Sequence, residues 1–346
     1  MSDDSPIKLG LIGTGIFSRL SHLPAIETVS DLKLTACANR TIEKAKEFAV
    51  KAGTISEDKV YSDIAGLVSD PDVDAIDALL PAQFTLDAVN QCVAAGKPIA
   101  FEKPIAATLE QAKEIVRISR GTDLPIAVLE NFAYWHIAHE IKAPLAEIGD
   151  IIYFSQYCTG PFHTDNIYLQ TSWRQKPEHV GGFLSDGGVH QVAIFTEILG
   201  EVESLSAQTK QVRELSGDVD TLTSTLKMKS GVLGTFTYTS AVSYPKINKL
   251  TIHGTKGTVA YDYSDRNNAT LTLFTAEAPK GKSIPVEKNE QDGVPAEFEN
   301  FAAAVKAKDK SLLHVPSEKG FHHFAVICAA VESGKNNGAS VKVAVP

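Results

Sequence analysis

One lysine in this sequence has the type and position that acid–base chemistry needs. Lys103 lies in the run Glu102-Lys103-Pro104, directly after an apolar, strand-like segment. A lysine at the carboxyl end of a parallel strand lies at the crevice where ligands bind, and the proline after it favours an extended backbone at Lys103. A single run of this kind is most often a surface turn, so its chemical interpretation depends on the other motifs.

A carboxylate and an imidazole lie four residues apart further along the chain. Asp186 and His190 occur in the segment GGFLSDGGVH, which contains two glycine pairs. Residues at i and i+4 share a face if a helix begins here, and a carboxylate with an imidazole suits proton transfer near neutral pH. Taken alone, the pair is also explained by a helix cap and a hydrogen-bonded histidine.

A glycine-rich segment near the start of the chain could bind phosphates. The segment LGLIGTGIFS resembles the dinucleotide pattern G-x-G-x-x-G, with Ser18 in place of the third glycine. Gly13 would allow the tight turn, Gly15 would let the backbone approach a pyrophosphate, and the next helix would offer its free N–H groups. The segment follows a strand pattern and begins a strand–helix series. We therefore predict a dinucleotide site, the alternative being a glycine turn without a ligand.

The end of the second predicted strand indicates which dinucleotide binds. An NAD enzyme usually has an acid there that accepts from the ribose 2′-hydroxyl, whereas this sequence has Asn39 and Arg40. A carboxylate would repel a 2′-phosphate, and an arginine can pair with one. We therefore predict NADP(H) as the cofactor. The alternative is that Arg40 is a solvated arginine that stacks on the adenine, with either cofactor accepted.

Strand and helix patterns alternate over the first third of the chain and would position these motifs. Predicted strands cover Ile7–Gly13, Leu32–Ala38, Asp74–Leu80, Ile99–Phe101 and Pro125–Leu129, and predicted helices cover Ile42–Lys51, Thr85–Ala95 and Leu109–Ser119. Strands that alternate with helices in this way predict a parallel sheet with right-handed crossovers.

After about residue 150, strand patterns follow one another with little helix between them. They cover Ile151–Tyr157, Ser204–Val212, Thr221–Lys229, Val232–Ser240, Asn248–His253 and Thr258–Tyr263. This pattern predicts a mostly antiparallel sheet, with helices at Gly187–Leu199, Pro295–Lys306 and Phe321–Glu332 over one of its faces. We therefore predict two domains, a dinucleotide-binding domain over residues 1–128 and a substrate-binding domain over residues 129–346.

The composition limits the partners and the compartment. The 346-residue chain has a net charge of −9, which disfavours a nucleic-acid or anionic-membrane surface. No apolar run approaches the roughly 20 residues that span a bilayer, and the polar, acidic start of the chain is not typical of a signal peptide. The four scattered cysteines fit a reducing compartment, so we predict a cytoplasmic protein.

A histidine-rich segment invites a metal interpretation. His136, His139 and Glu140 form the run HIAHE, whose histidines are three residues apart rather than in the H-E-x-x-H arrangement. No third ligand is evident, so we assign these side chains packing and surface roles and predict no metal site.

Taken in order and at their spacing, these motifs resemble the glucose–fructose oxidoreductase / inositol dehydrogenase family (Gfo/Idh/MocA). The resemblance covers nearly the whole chain, and the segment TSWRQKPEHVGGFLSD is similar to fungal NADP(H)-dependent members. It implies a Rossmann domain followed by an α/β domain with a large, mostly antiparallel open sheet. It also implies that Lys103, Asp186 and His190 are catalytic. The cofactor contacts that it implies are Gly13, Thr14, Gly15, Ile16, Phe17, Asn39, Arg40, Leu80, Pro81, Glu102, Lys103, Asn131, Trp173 and Arg174.

One segment departs from the family's pattern. Many members have T-P-N-x-x-H after the fourth strand, where this chain has Leu80-Pro81-Ala82-Gln83-Phe84-Thr85. The proline is kept, but the asparagine and the histidine are replaced. The usual contacts near the nicotinamide ribose are therefore in doubt, and Gln83 is the candidate substitute.

These inferences together predict reversible hydride transfer between NADP(H) and a small hydroxyl or carbonyl compound such as a sugar or polyol. His190 is the candidate base, Lys103 polarises the oxygen and Asp186 orients them, although the roles of Lys103 and His190 could be exchanged. Two other classes stay open. One is a non-catalytic dinucleotide-binding regulator, and the other is an enzyme that keeps its cofactor bound and uses its redox chemistry transiently.

The later strands also bear on assembly. Leucines and Met228 alternate with threonines along Thr221–Met228, and Val232–Ser240 alternates as well. One face of the sheet is then apolar and the other rich in threonine, either as a solvated face or as an interface. Members of the family commonly pair through this sheet, so the resemblance implies a homodimer, with a tetramer as the alternative.

Overall fold

The computed structural model of the protein describes residues 5–164, 167, 168 and 171–346. The chain forms two compact units. The first comprises the chain up to Asn131, the segment Glu290–Phe321 and Pro346, and the second comprises Phe132–Asn289 and His322–Val345. The division of the sequence at residue 128 stays a prediction.

The first unit is built on a parallel sheet of six strands. They are β1 (Ile7–Ile12), β2 (Leu32–Ala38), β3 (Val60–Tyr61), β4 (Ala75–Ala78), β5 (Ile99–Glu102) and β6 (Ile126–Leu129). Their order is β3-β2-β1-β4-β5-β6, and every neighbouring pair is parallel. This is the strand order of a doubly wound dinucleotide-binding sheet, in which ligands bind where the order reverses, beside β1.

Both units also contain α-helices. In chain order they are α1 (Leu23–Thr28), α2 (Ile42–Ala52), α3 (Ile64–Val68), α4 (Thr85–Ala94), α5 (Leu109–Arg120), α6 (Ile137–Glu140), α7 (Lys142–Glu147), α8 (Ser172–Gln175), α9 (Val189–Leu199), α10 (Val294–Ala307) and α11 (Ser317–Lys335). None of the helices in the described part of the chain combines the length and the apolar character that a membrane span requires.

The position of α10 corrects one prediction. The sequence assigned this helix to the antiparallel sheet, but Phe298 and Phe301 are buried in the core of the first unit together with Leu9 and Leu11 of β1. The prediction was wrong because an amphipathic pattern shows that a helix has a buried face without showing which sheet buries it.

The second unit is built on a nine-stranded sheet. Its strands are β7 (Ile151–Pro161), β8 (Val202–Lys210), β9 (Thr221–Met228), β10 (Leu233–Val242), β11 (Ile247–Gly254), β12 (Gly257–Asp262), β13 (Thr270–Thr275), β14 (Lys282–Ile284) and β15 (Val341–Lys342). Their order is β14-β13-β12-β11-β7-β10-β9-β8-β15, and all neighbouring pairs are antiparallel except β7 with β10. This confirms the predicted large, mostly antiparallel sheet.

The two faces of this sheet differ in burial. Along β9, Leu222, Leu226 and Met228 are buried, while Thr223 and Thr225 between them are exposed. Because alternate side chains of a strand point to opposite faces, one face carries the apolar core of the unit and the other is left open.

Candidate active site

The glycine loop follows β1 and makes a turn that only glycine fits at Gly13. Its φ is +91°, and a Cβ there would lie 2.1 Å from the carbonyl oxygen of Leu79. Gly15 differs, because no atom of the described chain lies within 4 Å of the place where its Cβ would be. Gly13 is therefore required by the turn itself. Gly15 leaves open space beside the backbone, as close approach of a phosphate requires.

The helix after this loop starts in an unusual way. Helical backbone begins at Ile16, and Ser18–His22 form a π-helical turn that leads into α1. Pro24 has no N–H for the carbonyl of residue 20, and the wider turn accommodates this loss. The π turn points His22 into the interior of the unit, where it is fully buried.

The end of β2 is tied to the glycine loop. Asn39 Nδ2 donates to Thr14 Oγ1 at 2.8 Å, and Asn39 Oδ1 accepts from the N–H of Thr41 at 2.9 Å. Thr14 is buried, whereas Arg40 is exposed. The side chain of Asn39 thus supports the loop, and Arg40 lies at the surface beside it.

The segment 80–85, which departs from the family's pattern, follows β4 at the same edge of the sheet as the glycine loop. Leu79 donates its N–H to Ile12 at 2.8 Å, and Pro81 leads into a 3₁₀ turn over Ala82–Phe84. Gln83 is half-buried in that turn. Leu80, Pro81 and Gln83 therefore follow β4 beside the glycine loop, which leaves their predicted cofactor contacts as a proposal.

Lys103 follows the last residue of β5. Its side chain is half-buried, and its peptide bond to Pro104 is cis. Since β1, β4 and β5 are parallel neighbours, Lys103 and the glycine loop lie at the same carboxyl edge. Asn131 comes after β6 at this edge, where its Nδ2 donates to the carbonyl of Asp292 at 2.7 Å.

A buried group of acids and one histidine lies beneath this edge. His22 Nδ1 lies 2.8 Å from Asp77 Oδ2, and His22 Nε2 lies 2.9 Å from Glu102 Oε1. Glu297 of α10 is buried next to them. We call these four residues the His22 cluster. The sequence interpretation missed it, although Asp77, a carboxylate in the middle of an apolar parallel strand, signals a buried partner.

Burial and charge shift the protonation of this cluster. Burial by itself lowers the pKa of His22, but the charge and hydrogen bonds of Asp77 and Glu102 outweigh it and raise the pKa to about 10. Burial, together with the nearby Glu102 charge, raises the pKa of Glu297 well above its usual range. These shifts favour the cationic form of His22 and the neutral form of Glu297.

In the second unit, Asp186 is paired with an arginine. Arg174 Nε lies 2.7 Å from Asp186 Oδ2, and the Arg174 guanidinium lies 4.0 Å from the Trp173 ring centroid. The structure thus brings together three predicted residues, Trp173, Arg174 and Asp186. Asp186 lies in a π-helical turn, Leu184–Gly188, so the backbone does not follow the 3.6-residue period that paired it with His190.

His190 lies in the first turn of α9. Its ring stacks on Phe132, with centroids 4.4 Å apart. The adjacent Gln191 is held in the core, because its Oε1 accepts from Gln156 Nε2 and from the hydroxyl of Tyr263. The sheet therefore fixes the beginning of α9, and with it the position of His190.

Tyr238 of β10 is a further residue that the sequence interpretation missed. A Cβ at Gly187 would lie 2.3 Å from the Tyr238 hydroxyl oxygen. Burial, with the charge of Asp186, raises the pKa of Tyr238, which keeps this hydroxyl protonated. The absence of a side chain at Gly187 therefore leaves room for the Tyr238 hydroxyl next to the residue that follows Asp186.

The histidine-rich segment, which contains His136, His139 and Glu140, contacts Glu287. His136 Nδ1 is 3.8 Å from Glu287 Oε2, and Glu140 Oε1 accepts from the N–H of Glu287. Among the described residues, one set of three side chains has potential metal-ligand atoms within 4.8 Å of one another, and it consists of His22, Glu102 and Glu297.

The edge of the first sheet fits a dinucleotide. It combines the open space at Gly15, a supported loop, and a strand end with Asn39 and Arg40 in place of an acid. The fold and this edge define a class of protein, the doubly wound dinucleotide-binding domain joined to a second α/β domain.

Comparison with known proteins identifies the family. Residues 7–129 match the NAD-binding Rossmann fold of the oxidoreductase family GFO_IDH_MocA, and residues 145–343 match its C-terminal alpha/beta domain. The chain therefore belongs to the Gfo/Idh/MocA oxidoreductase family, which confirms the resemblance found from the motifs.

Two relatives cover almost the whole chain. An uncharacterized protein of Saccharomyces cerevisiae is 46% identical over 99% of this chain and 100% of its own length. The scyllo-inositol 2-dehydrogenase (NADP(+)) of Bacillus subtilis is 21% identical over 95% of this chain and 94% of its own.

Solved structures agree with the fold. An oxidoreductase from Thermotoga maritima has a TM-score of 0.85 at 31% identity, covering 98% of both chains. A levoglucosan dehydrogenase in complex with NADH and L-sorbose has a TM-score of 0.86 at 20% identity, covering 99% of this chain and 100% of that chain. At that identity the second likeness shows the fold alone.

Proposed function

We propose that the protein is an NADP(H)-dependent dehydrogenase or reductase that acts on a CH–OH or carbonyl carbon of a small sugar- or polyol-like compound. One observation carries the proposal. The open glycine loop, the acid-free end of β2 and Lys103 follow three strands of one parallel sheet, at its carboxyl edge. The Bacillus subtilis relative, a scyllo-inositol 2-dehydrogenase (NADP(+)), supports the substrate class and the cofactor.

The reaction fixes what the side chains must do. Oxidation of an alcohol removes hydrogen with its electron pair from carbon and a proton from oxygen, which leaves a carbonyl. Bound nicotinamide supplies the hydride acceptor or donor. Lys103 is proposed to donate a hydrogen bond to the substrate oxygen and to pass the proton, as a group with an N–H donor and an exchangeable charge can do.

Asp186 and His190 are proposed as further participants on the strength of the family resemblance. His190 is the alternative base, since an imidazole exchanges protons near neutral pH. Arg174 pairs with Asp186 at 2.7 Å, so the role proposed for Asp186 is to orient and balance charge rather than to take a proton.

Replacement of Lys103 tests the proposal. Lys103→Met keeps the length of the side chain and removes its charge and donors, so we expect turnover to fall at least about a hundredfold while NADPH binding is kept. Turnover is measured as reduced-nicotinamide absorbance with a panel of sugars and polyols, and binding by calorimetry. Lys113→Met, at an exposed position of α5, is the matched control. Near-normal turnover of Lys103→Met would refute the assignment.

We propose a cytoplasmic location for the protein. Cys37, Cys92 and Cys158 are buried and Cys328 is half-buried, and none of these four described cysteines forms a disulfide. Burial raises the pKa of Cys37 and of Cys92 to about 12, which keeps these thiols protonated and unreactive, as suits a reducing compartment.

A further inference from the structure

The His22 cluster includes Glu102, the residue that precedes Lys103. His22 and Asp77 have no exposed side-chain surface, and the Glu102 side chain is 14% exposed. The rings of Phe17 and Phe298 pack edge-on against the imidazole, with centroids 5.2 and 5.0 Å away. The cluster is thus a dry arrangement in which each charge depends on the others.

Three elements supply the bridge between His22 and the two carboxylates that bond to it. The π-helical turn Ser18–His22 supplies the imidazole, the centre of β4 supplies Asp77, and the last residue of β5 supplies Glu102. β4 and β5 are adjacent parallel strands, so His22 spans the carboxylates of two neighbouring strands. The imidazole thereby connects the core of the sheet to its carboxyl edge.

The hydrogen-bond geometry indicates the charge of His22. Both ring nitrogens face carboxylate oxygens, at 2.8 and 2.9 Å. An ionised carboxylate only accepts hydrogen bonds, and a neutral imidazole has one donor, so two ionised partners require an imidazolium. The raised pKa of His22 agrees with this assignment.

Glu297 completes the surroundings of the cation. It is 1% exposed, and its Oε2 has no hydrogen-bond partner among the described residues. Burial and the charges of Glu102 and Glu130 raise its pKa, which favours its neutral form. Burial also raises the pKa of Asp77, and the charge and hydrogen bond of His22 oppose that shift. The groups that face His22 are then the carboxylates of Asp77 and Glu102, which bond to it, and the acid of Glu297.

We infer that His22 is a positioning residue, which as a cation bridging Asp77 and Glu102 fixes the carboxyl end of β5 and the start of the turn that carries Lys103. This inference rests on the proposed function of Lys103. Loss of the bridge leaves Asp77 as an unpaired buried charge and frees the Glu102 carboxylate, which displaces the residue that follows.

A metal site at the same residues is the competing explanation. His22, Glu102 and Glu297 could offer three ligand atoms, but a ligating nitrogen must be deprotonated. Both nitrogens of His22 already bind carboxylates, and this favours the protonated bridge. The two explanations predict opposite charge states for His22.

Nitrogen-15 NMR of the histidine rings tests the charge directly and needs no activity. We expect the imidazolium pattern of His22 to persist at about pH 9, since its pKa is raised to about 10. His322 is the internal contrast, because it is also buried and burial lowers its pKa to about 4, so its ring is neutral in the same spectrum. Neutral His22 at pH 8, or a stoichiometric metal in the purified protein, would overturn the inference.

Asp77→Asn tests the positioning role, because it keeps the shape of Asp77 and removes the charge that holds the proton on His22. We expect the His22 pKa to fall toward its usual value, the amide resonances of Glu102 and Lys103 to shift, and kcat to fall about tenfold or more with a changed pH profile and an unchanged KM. His322→Gln, a matched change at a buried histidine of the second unit, should leave these readouts as they are.

The outcomes separate this inference from the proposed function. If Lys103→Met retains turnover while Asp77→Asn lowers the His22 pKa and shifts the amide resonances of Glu102 and Lys103, the proposed function is refuted. The bridge is then a structural feature without a catalytic role. If Lys103→Met loses turnover while Asp77→Asn leaves the Lys103 amide signal and kcat unchanged, the positioning role is overturned and the function stands.

Discussion

Asn39 uses both ends of its side-chain amide inside the protein, donating to Thr14 and accepting from Thr41. Asn39 therefore supports the glycine loop, and its amide keeps a second N–H and a second oxygen lone pair. Arg40, the next residue, is exposed and carries a full positive charge. We therefore expect Arg40, as the charged residue at this strand end, to contribute most to the choice between the two dinucleotides.

The first residue-scale prediction concerns that choice. We expect NADPH to bind more tightly than NADH, and Arg40→Ala to weaken NADPH about tenfold to a hundredfold, since a hydrogen bond to a charged group contributes about 1.5–3 kcal/mol. Calorimetric titration with both cofactors measures the effect, and NADH binding is the control. Equal dissociation constants for the two cofactors in the native protein would contradict the prediction.

The second residue-scale prediction concerns stability and pH. The folded protein keeps a proton on His22 up to about pH 10, whereas the unfolded chain loses it near 6.5. The folded state therefore binds more protons in this window, and the free energy of unfolding falls as pH rises through it, by an amount on the order of a few kcal/mol. Urea denaturation at a series of pH values measures the slope.

Two variants assign this pH dependence. His22→Gln should flatten the alkaline slope. His322 has a lowered pKa of about 4, so it contributes stability that is lost as pH falls from 6.5 through about 4. His322→Gln should therefore flatten the dependence of the unfolding free energy on pH only on the acid side, between about pH 4 and 6.5. An alkaline slope that survives in His22→Gln would show that another group is responsible.

At the scale of elements, the two motif segments share a departure from regular helix. Ser18–His22 and Leu184–Gly188 are both π-helical turns, each leading directly into an α-helix. A π turn adds one residue to the turn and rotates the side chains that follow. In the first unit this rotation points His22 inward, and in the second unit Asp186 lies within such a turn.

The element-scale prediction separates the two glycines of the loop. Gly13→Ala places a Cβ 2.1 Å from the Leu79 carbonyl at a φ of +91°, so we expect a loss of about 3 kcal/mol in stability. Gly15→Ala meets no protein atom within 4 Å, so stability should change by less than about 1 kcal/mol while dinucleotide binding weakens. Thermal unfolding and calorimetry measure the two effects, and unaltered binding by Gly15→Ala would place the pyrophosphate elsewhere.

At the scale of the whole molecule, the open face of the nine-stranded sheet is the feature to explain. Thr223 and Thr237 lie directly opposite each other on β9 and β10, and Tyr157 of β7 is the next residue in that row. Tyr157 is 43% exposed, and Leu233 on the same face is 56% exposed. A threonine-rich face with exposed apolar side chains favours an interface over a solvated surface.

The whole-molecule prediction is a symmetric homodimer through this face. Thr223→Lys combined with Thr237→Lys should split it, because a two-fold contact sets the added charges against their copies. The matched control places lysines at Val50 and Thr54, both exposed in the first unit. Light scattering at micromolar concentration measures the mass, and a native protein that already elutes as a 37.2 kDa monomer would end the hypothesis.

Local sequence determined most of the elements. β2 agrees with its prediction at both ends, and α9 and β9 agree to within two residues, because the hydrophobic period and the glycine punctuation act over a few residues. The glycine loop was predictable for the same reason. The short strands β3, β14 and β15 carry too few residues to show a period.

Tertiary structure alone decided the partners of distant side chains. The His22 cluster joins residues 22, 77, 102 and 297, and α10 returns to the first unit after eight of the nine strands of the second sheet. Neither fact has a local signal, because a buried charge or an apolar helix face requires a partner without specifying which one. The sequence by itself therefore determined most of the longer strands and helices and the dinucleotide motif, whereas the packing of the chain decided which groups surround Glu102, the residue before Lys103.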